Sequence, residues 1–145
     1  MVDDLYQETI LDHSKRPRNH HGMEDANRHA DGFNPLCGDR LKLYLKIEND
    51  IVREASFEGA GCAISTASAS LMTESLKGKT REEALKLVDK FHDLLTTDTP
   101  ASQELGKLVV FCGVRDYPAR VKCATLAWHT LKSALNGTSE MATSE

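Results

Sequence analysis

The sequence predicts an α+β chain in which a small antiparallel sheet packs against several helices. Three observations carry this. Leu41, Leu43, Leu45 and Ile47 alternate with Lys42, Tyr44 and Lys46, the period of a half-buried strand. After Glu48-Asn49-Asp50 the chain returns through residues 51–57 as a second strand, giving a hairpin, with a third strand allowed for. Beyond Gly61 the pattern changes to helical spacing and stays so. At 145 residues the chain fits a single domain spanning residues 1–145, without internal repeat or linker.

In chain order, Leu5, Ile10 and Leu11, with Tyr6, form a helical stripe over about residues 3–13. Pro17 stops it, and Lys15, Arg16 and Arg18 suit the negative end of its dipole. Residues 20–34 are polar, contain Gly22 and Gly32, and read as a loop. After the hairpin, Gly59-Ala60-Gly61 is expected to break the strand before Cys62. Ile64, Ala67, Leu71 and Leu76 then mark a helix closed by Gly78. Thr80-Arg81-Glu82-Glu83 opens another helix with a capping box, running to about residue 95. A turn region with Pro100 spans residues 96–102, and a short helix follows over residues 104–111. Pro118 suits the first position of the last helix, which ends at Asn136-Gly137. Trp128, Leu131 and Leu135 form its core stripe. The polar tail, about residues 138–145, is expected to fray.

Hydrophobic residues at 40% and charged ones at 28% are ordinary for a globular chain and argue against disorder. A net charge of −4 argues against nucleic acid as the main partner, because phosphate binding needs a basic face. Met1-Val2-Asp3-Asp4 is acidic where a signal peptide is basic and then apolar. The least polar run, residues 108–114, is too short to span a bilayer, so no membrane partner is expected. These features place the chain in the cytoplasm. There its four cysteines, Cys37, Cys62, Cys112 and Cys123, stay reduced, which favours metal or sulfur chemistry over two disulfides.

Three of the cysteines fall at element edges. Cys37 lies in Pro35-Leu36-Cys37-Gly38-Asp39, just before the first clear strand. Cys62 opens a helix after Gly59-Ala60-Gly61, and Cys123 lies in the first turns of the last helix. Helix N-termini favour thiolate, the form that binds metal and attacks sulfur. Gly38, Gly59 and Gly61 permit close backbone approach around such a site. Asp39 is two residues from Cys37, so one loop can aim both side chains at one ion. Three thiolates and a carboxylate would fill a tetrahedral zinc shell. Spacing alone leaves the blander reading open: a turn aspartate beside three buried thiols, since no Cys-x-x-Cys is present.

Several segments resemble the U-type iron–sulfur biogenesis family. They are Pro35-Leu36-Cys37-Gly38-Asp39, Phe57-Glu58-Gly59-Ala60-Gly61-Cys62-Ala63-Ile64-Ser65 and Tyr117-Pro118-Ala119-Arg120-Val121-Lys122-Cys123-Ala124-Thr125-Leu126. His13-Ser14-Lys15-Arg16-Pro17-Arg18-Asn19 and Lys77-Gly78-Lys79-Thr80 belong with them. The resemblance runs from about residue 5 to residue 137. IscU-type scaffolds of this family build [2Fe–2S] clusters and carry histidine immediately before the third cysteine, where this chain has Lys122. They also carry a Leu-Pro-Pro-Val-Lys motif, where this chain reads Asp116-Tyr117-Pro118-Ala119-Arg120-Val121-Lys122. The stretch between Cys62 and Cys123 is longer than in scaffolds, and residues 91–113 look like the insertion of the SufU branch.

Resemblance to the SufU branch implies a zinc-dependent sulfurtransferase, with zinc on Cys37, Asp39, Cys62 and Cys123. A PLP-dependent, SufS-like cysteine desulfurase would supply persulfide sulfur. A partner histidine would take a place on the zinc and free Cys37, the catalytic nucleophile, which then carries sulfur to the downstream iron–sulfur assembly machinery. The alternative is an IscU-type scaffold holding a [2Fe–2S] cluster on the same cysteines. Arg120, one helical turn before Cys123, could stabilise the persulfide or dock the desulfurase, or be a solvated arginine. Cys112 is expected to be a core or shoulder thiol. His20 and His21 read as solvated, and His13 as a helix-end residue.

Overall fold

The computed structural model describes residues 8–97, 103–137 and 142–143. Its elements are α1 (Glu8–Lys15), β1 (Arg28–Asn34), β2 (Asp39–Glu48) and β3 (Ile51–Ala60). There follow α2 (Ala63–Leu76), α3 (Arg81–Thr96), a 3-10 segment (Gln103–Asp116), α4 (Pro118–Asn136) and β4 (Ala142–Thr143). The sheet order is β3-β2-β1-β4, antiparallel except that β4 runs parallel to β1. The α+β expectation therefore holds. Residues 3–7 of the first expected helix and residues 98–102 of the expected turn lie outside the described residues.

The hairpin turns on Asn49 and Asp50, both at positive φ (52° and 65°), as a two-residue turn between twisted strands requires. Leu41, Leu43 and Leu45 on β2, with Val52, Ala55 and Phe57 on β3, form the buried sheet face. β3 is the exposed edge, and two loops cover it. Phe57 N–H donates to Asn19 O, and Val52 N–H to Lys79 O, so these two points of the edge are not open to other chains.

Four expectations need correction. Residues 28–34 form β1 and not a loop. Its inward residues are Ala30, Gly32 and Asn34, so the strand has no hydrophobic alternation to read. β3 continues through Gly59 to Ala60, because the glycine accommodates the backbone of Arg40 and does not end the strand. The expected short helix over residues 104–111 is a longer 3-10 segment reaching Asp116, kinked at Gly106 (φ 52°). Leu105, Leu108, Phe111 and Val114 are all buried, and their three-residue spacing matches three residues per turn. Finally, Ala142 and Thr143 of the expected frayed tail pair with Gly32 and Phe33.

Behind the sheet, α2 and α4 form a middle layer, with α3 and the 3-10 segment outside it. α2 is buried nearly all round and correspondingly rich in alanine and serine. Two of its buried hydroxyls, Ser68 and Ser70, bond to other elements. Ser68 Oγ donates to Ala124 O at 2.6 Å and accepts Trp128 Nε1–H at 3.1 Å. Trp128 stacks on Phe91 of α3 with centroids 4.5 Å apart, so one side chain joins three helices. His13 lies in the last turn of α1, as expected, and is also a buried anchor: its Nδ1 lies 2.7 Å from Ser70 Oγ. Arg18 N–H also donates to Ser70 Oγ, and Asn19 Nδ2 donates to Thr73 Oγ1. The His13–Asn19 motif thus fastens α1 and the β3 edge to α2. Among the described residues no helix is long and apolar enough to cross a membrane.

Trp128 supplies the check on this layering. Trp128→Ala should destabilise the fold by about 3–5 kcal/mol, seen as a lower urea midpoint at unchanged m value. A loss near the roughly 0.5 kcal/mol of an ordinary surface change would show that the three helices do not share this core.

Candidate metal centre

One end of the sheet gathers the chemistry. Asn34 and Asp39 are the last register pair of β1 and β2, and Arg40 pairs with Ala60 beside them on β3. The four residues between the strands, Pro35-Leu36-Cys37-Gly38, make a loop closed by Gly38 N–H donating to Asn34 O at 2.8 Å. Gly38 takes φ +75°, a left-handed conformation that glycine adopts without steric cost. Cys37 sits exposed near the tip of that loop.

Asp39 differs from Cys37 in every respect. As the first residue of β2 its position is set by the sheet, and it is 1% exposed. Its Oδ1 accepts Cys62 N–H at 3.0 Å, and its Oδ2 accepts Asn34 Nδ2–H at 3.2 Å. A Cβ on Gly61 would lie 2.9 Å from Asp39 Oδ1, so glycine at this position lets the carboxylate reach the α2 entrance.

Cys62 is the N-cap of α2, and its sulfur accepts Ser65 N–H at 3.4 Å. Cys123 is fully buried in α4, and its Sγ lies 3.4 Å from Cys37 Sγ. The ligand atoms of Cys37, Asp39 and Cys123 all fall within 4.8 Å of one another. Sulfurs bound at about 2.3 Å to a tetrahedral zinc lie about 3.8 Å apart, so this spacing fits a single ion. Cys62 is outside that closest group but interacts with Cys123.

The thiols are unequal. Cys62 is pulled down to about 6, first by the hydrogen bond from Cys123 and further by the Ser65 amide, against the effect of burial. Cys123 is pushed up by its hydrogen bond to Cys62, by burial and by its contact with Cys37. The expectation that both helix-start thiols favour thiolate holds for Cys62 only. Cys123 is the sixth residue of α4, where the backbone N–H groups already have helical partners.

The donor set fits a metal ion. Asp39 is a buried carboxylate with two neutral donors, and among the described residues no cation pairs with it. Cys37 and Cys123 place two sulfurs beside it, donors of the type a zinc ion takes. Of the other candidates, Arg120 lies half-buried in the first turn of α4, three residues before Cys123. Cys112 is exposed on the 3-10 segment, not in the core, because it falls between the buried positions of the three-residue repeat. Exposed His20 stacks on Phe57 at 4.8 Å. The sequence reading missed Asn34, fully buried against both Asp39 and Cys123. The available signal was a polar residue in register with Asp39 at the inward end of a strand.

The unequal thiols give a pH prediction. In metal-free protein, ultraviolet thiolate absorbance should show one thiolate that protonates as pH falls through about 6. Cys62→Ser should abolish this step. Its persistence in that variant would place the thiolate on another cysteine.

Similar proteins are consistent with this geometry. The chain is 44% identical over 135 residues to the zinc-dependent sulfurtransferase SufU of Bacillus subtilis, covering 92% of this chain and 91% of that one. It is equally 44% identical over 135 residues to the iron–sulfur cluster assembly scaffold protein IscU of Streptococcus pyogenes serotype M1, covering 92% of this chain and 84% of the relative. A solved structure of a putative iron–sulfur cluster assembly scaffold protein for the SUF system, from Fervidobacterium islandicum AW-1, superposes with a TM-score of 0.85 at 38% identity. It covers 93% of this chain and 99% of that one. With residues 5–136 matching its model, the chain belongs to the NifU-like N-terminal domain family, which takes in the iron–sulfur cluster assembly scaffolds and SufU.

Proposed function

We propose that this chain is a zinc-dependent sulfurtransferase that accepts sulfur from a PLP-dependent, SufS-like cysteine desulfurase and passes it to the iron–sulfur assembly machinery. The observation that carries this reading is the contrast within one site: Asp39 and Cys123 are buried, whereas Cys37 is exposed 3.4 Å from Cys123. Cys37, Asp39, Cys62 and Cys123 hold the zinc. When bound, zinc keeps Cys37 deprotonated while limiting its side reactions. The Cys37 thiolate attacks the outer sulfur of the partner's persulfide. That sulfur–sulfur bond breaks, the partner's thiolate leaves, and Cys37 carries the persulfide. Arg120, one helical turn before Cys123, supplies a positive charge for the persulfide or for docking. Residues 1–145 act as one domain in the cytoplasm, where thiols stay reduced.

Lys122 immediately before Cys123 supports sulfur transfer over cluster assembly, since IscU-type scaffolds carry histidine there. Metal analysis tests the choice: one zinc per chain is expected, whereas stoichiometric iron with acid-labile sulfide would establish the scaffold reading. Chelation should also lower the melting temperature, because the ion ties β2, α2 and α4 together. Identical melting of the apo and zinc forms would contradict that linkage.

Variants separate the nucleophile from the other ligands. Cys37→Ala should abolish stimulation of desulfurase turnover while retaining part of the zinc. Cys62→Ala and Cys123→Ala should lose zinc and stimulation together, and Cys112→Ala should lose neither. After reaction with desulfurase and cysteine, mass spectrometry should find one added sulfur on the Cys37 peptide. Sulfur found chiefly on Cys123 or Cys112 would refute Cys37 as the acceptor.

A further inference from the structure

Asn34 is fully buried at the end of β1, and the transfer chemistry above assigns it no task. Among the described residues, the hydrogen bonds of its side chain go to the site and its loop. Nδ2 donates to Asp39 Oδ2 at 3.2 Å and lies 3.6 Å from Cys123 Sγ as a donor. Oδ1 accepts Leu36 N–H at 3.2 Å, and the backbone carbonyl accepts Gly38 N–H at 2.8 Å. An asparagine amide offers two N–H donors and one carbonyl acceptor, and here both ends are used. Leu36 and Gly38 flank Cys37 in the chain, so Asn34 grips the loop on either side of the nucleophile. Its bonds to the site's ligands go to Asp39 and Cys123, and none to the Cys37 sulfur.

We propose that Asn34 is a positioning residue that divides the metal shell into a fixed part and a movable part. It holds Asp39 and Cys123 in the rotamers that face the ion and pins the base of the Cys37 loop, leaving the Cys37 side chain as the ligand able to leave. The inference rests on the sulfur-transfer reading for the presence of the ion. The chemistry follows from the donor type. Hydrogen bonds to a carboxylate or thiolate are about twice as strong as neutral ones. Partners that orient a ligand typically govern metal affinity about 10- to 100-fold. A purely structural asparagine would behave differently: its loss would weaken the fold equally with and without metal.

The test uses the full chain as wild type, Asn34→Ala and Asn34→Ser, the serine offering one donor in place of two. Zinc affinity is measured by competition with a chromophoric chelator, melting temperature with and without zinc, and ligand geometry by the visible spectrum of the cobalt(II)-substituted protein. Asn34→Ala should weaken zinc binding by about 10- to 100-fold, reduce the zinc-dependent rise in melting temperature and distort the tetrahedral cobalt spectrum. Asn34→Ser should fall between that variant and wild type, and it carries the test if the alanine variant does not fold. Variants that bind zinc as wild type does, or that lose the same stability in both forms, overturn the role of Asn34 alone. A wild-type chain that takes up no zinc overturns this role and the sulfur-transfer reading together.

Discussion

The arrangement of the site follows from burying one carboxylate. Asp39 is 1% exposed, and an unpaired charge at such a position is costly unless hydrogen bonds or an ion compensate it. Its two oxygens are satisfied by the Cys62 amide at the entrance of α2 and by the Asn34 amide at the end of β1. The same Asn34 nitrogen reaches Cys123 on α4. Satisfying Asp39 therefore brings together segments that are distant in sequence, and places the Cys37 and Cys123 sulfurs beside a buried carboxylate. Gly61 belongs to this constraint, since any larger residue there would press on Asp39 Oδ1.

The helical layer determines how firmly each sulfur is held. Ser68 of α2 bonds to the carbonyl of Ala124, the residue after Cys123, and also receives the Trp128 indole. Cys123 thus takes its position from a fully buried part of the core. Cys62 is held less deeply, as a helix cap with its sulfur on the Ser65 amide. Cys37 has less support, because it is exposed on a loop fastened at Leu36 and Gly38, although its sulfur still reaches that of Cys123. Firmness falls from helix core to cap to loop tip, which is the order expected if one ligand must exchange while the others keep the ion.

The sequence made much of this legible because the relevant signals are local. The alternation of residues 41–47 gave β2, and the Thr80–Glu83 capping box, with both of its bonds present, gave the start of α3. Pro118 and Gly137 marked the two ends of α4. Of the proposed ligands, Cys37, Asp39 and Cys123 lie within reach of one ion, while Cys62 lies outside that group. What escaped notice depends on partners far along the chain. β1 carries alanine, glycine and asparagine inward, so only its pairing with β2 identifies it as a strand. His13 has the look of a helix-end residue until Ser70, fifty-seven positions away, is brought against it. Asn34 likewise has no meaning without its register partner Asp39 and the approach of α4.

The charges of the donor set explain why the exposed sulfur is the one suited to chemistry. Without metal, the site reduces its negative charge by keeping a proton on Cys123 and placing the thiolate on Cys62, where the α2 amides receive it. A bound ion would displace that proton, because a coordinating thiol is deprotonated. Three thiolates and a carboxylate then carry more negative charge than a divalent ion neutralises. At buried Asp39 and Cys123 that excess has no solvent to screen it. At Cys37 it does, since water reaches the loop tip and stabilises a departing thiolate. If an ion were bound on the proposed ligands, release of Cys37 would relieve the excess charge at the position most open to solvent. On the proposed reading, a nucleophile at Cys37 could leave the site while the hydrogen bonds of Asp39 stay in place.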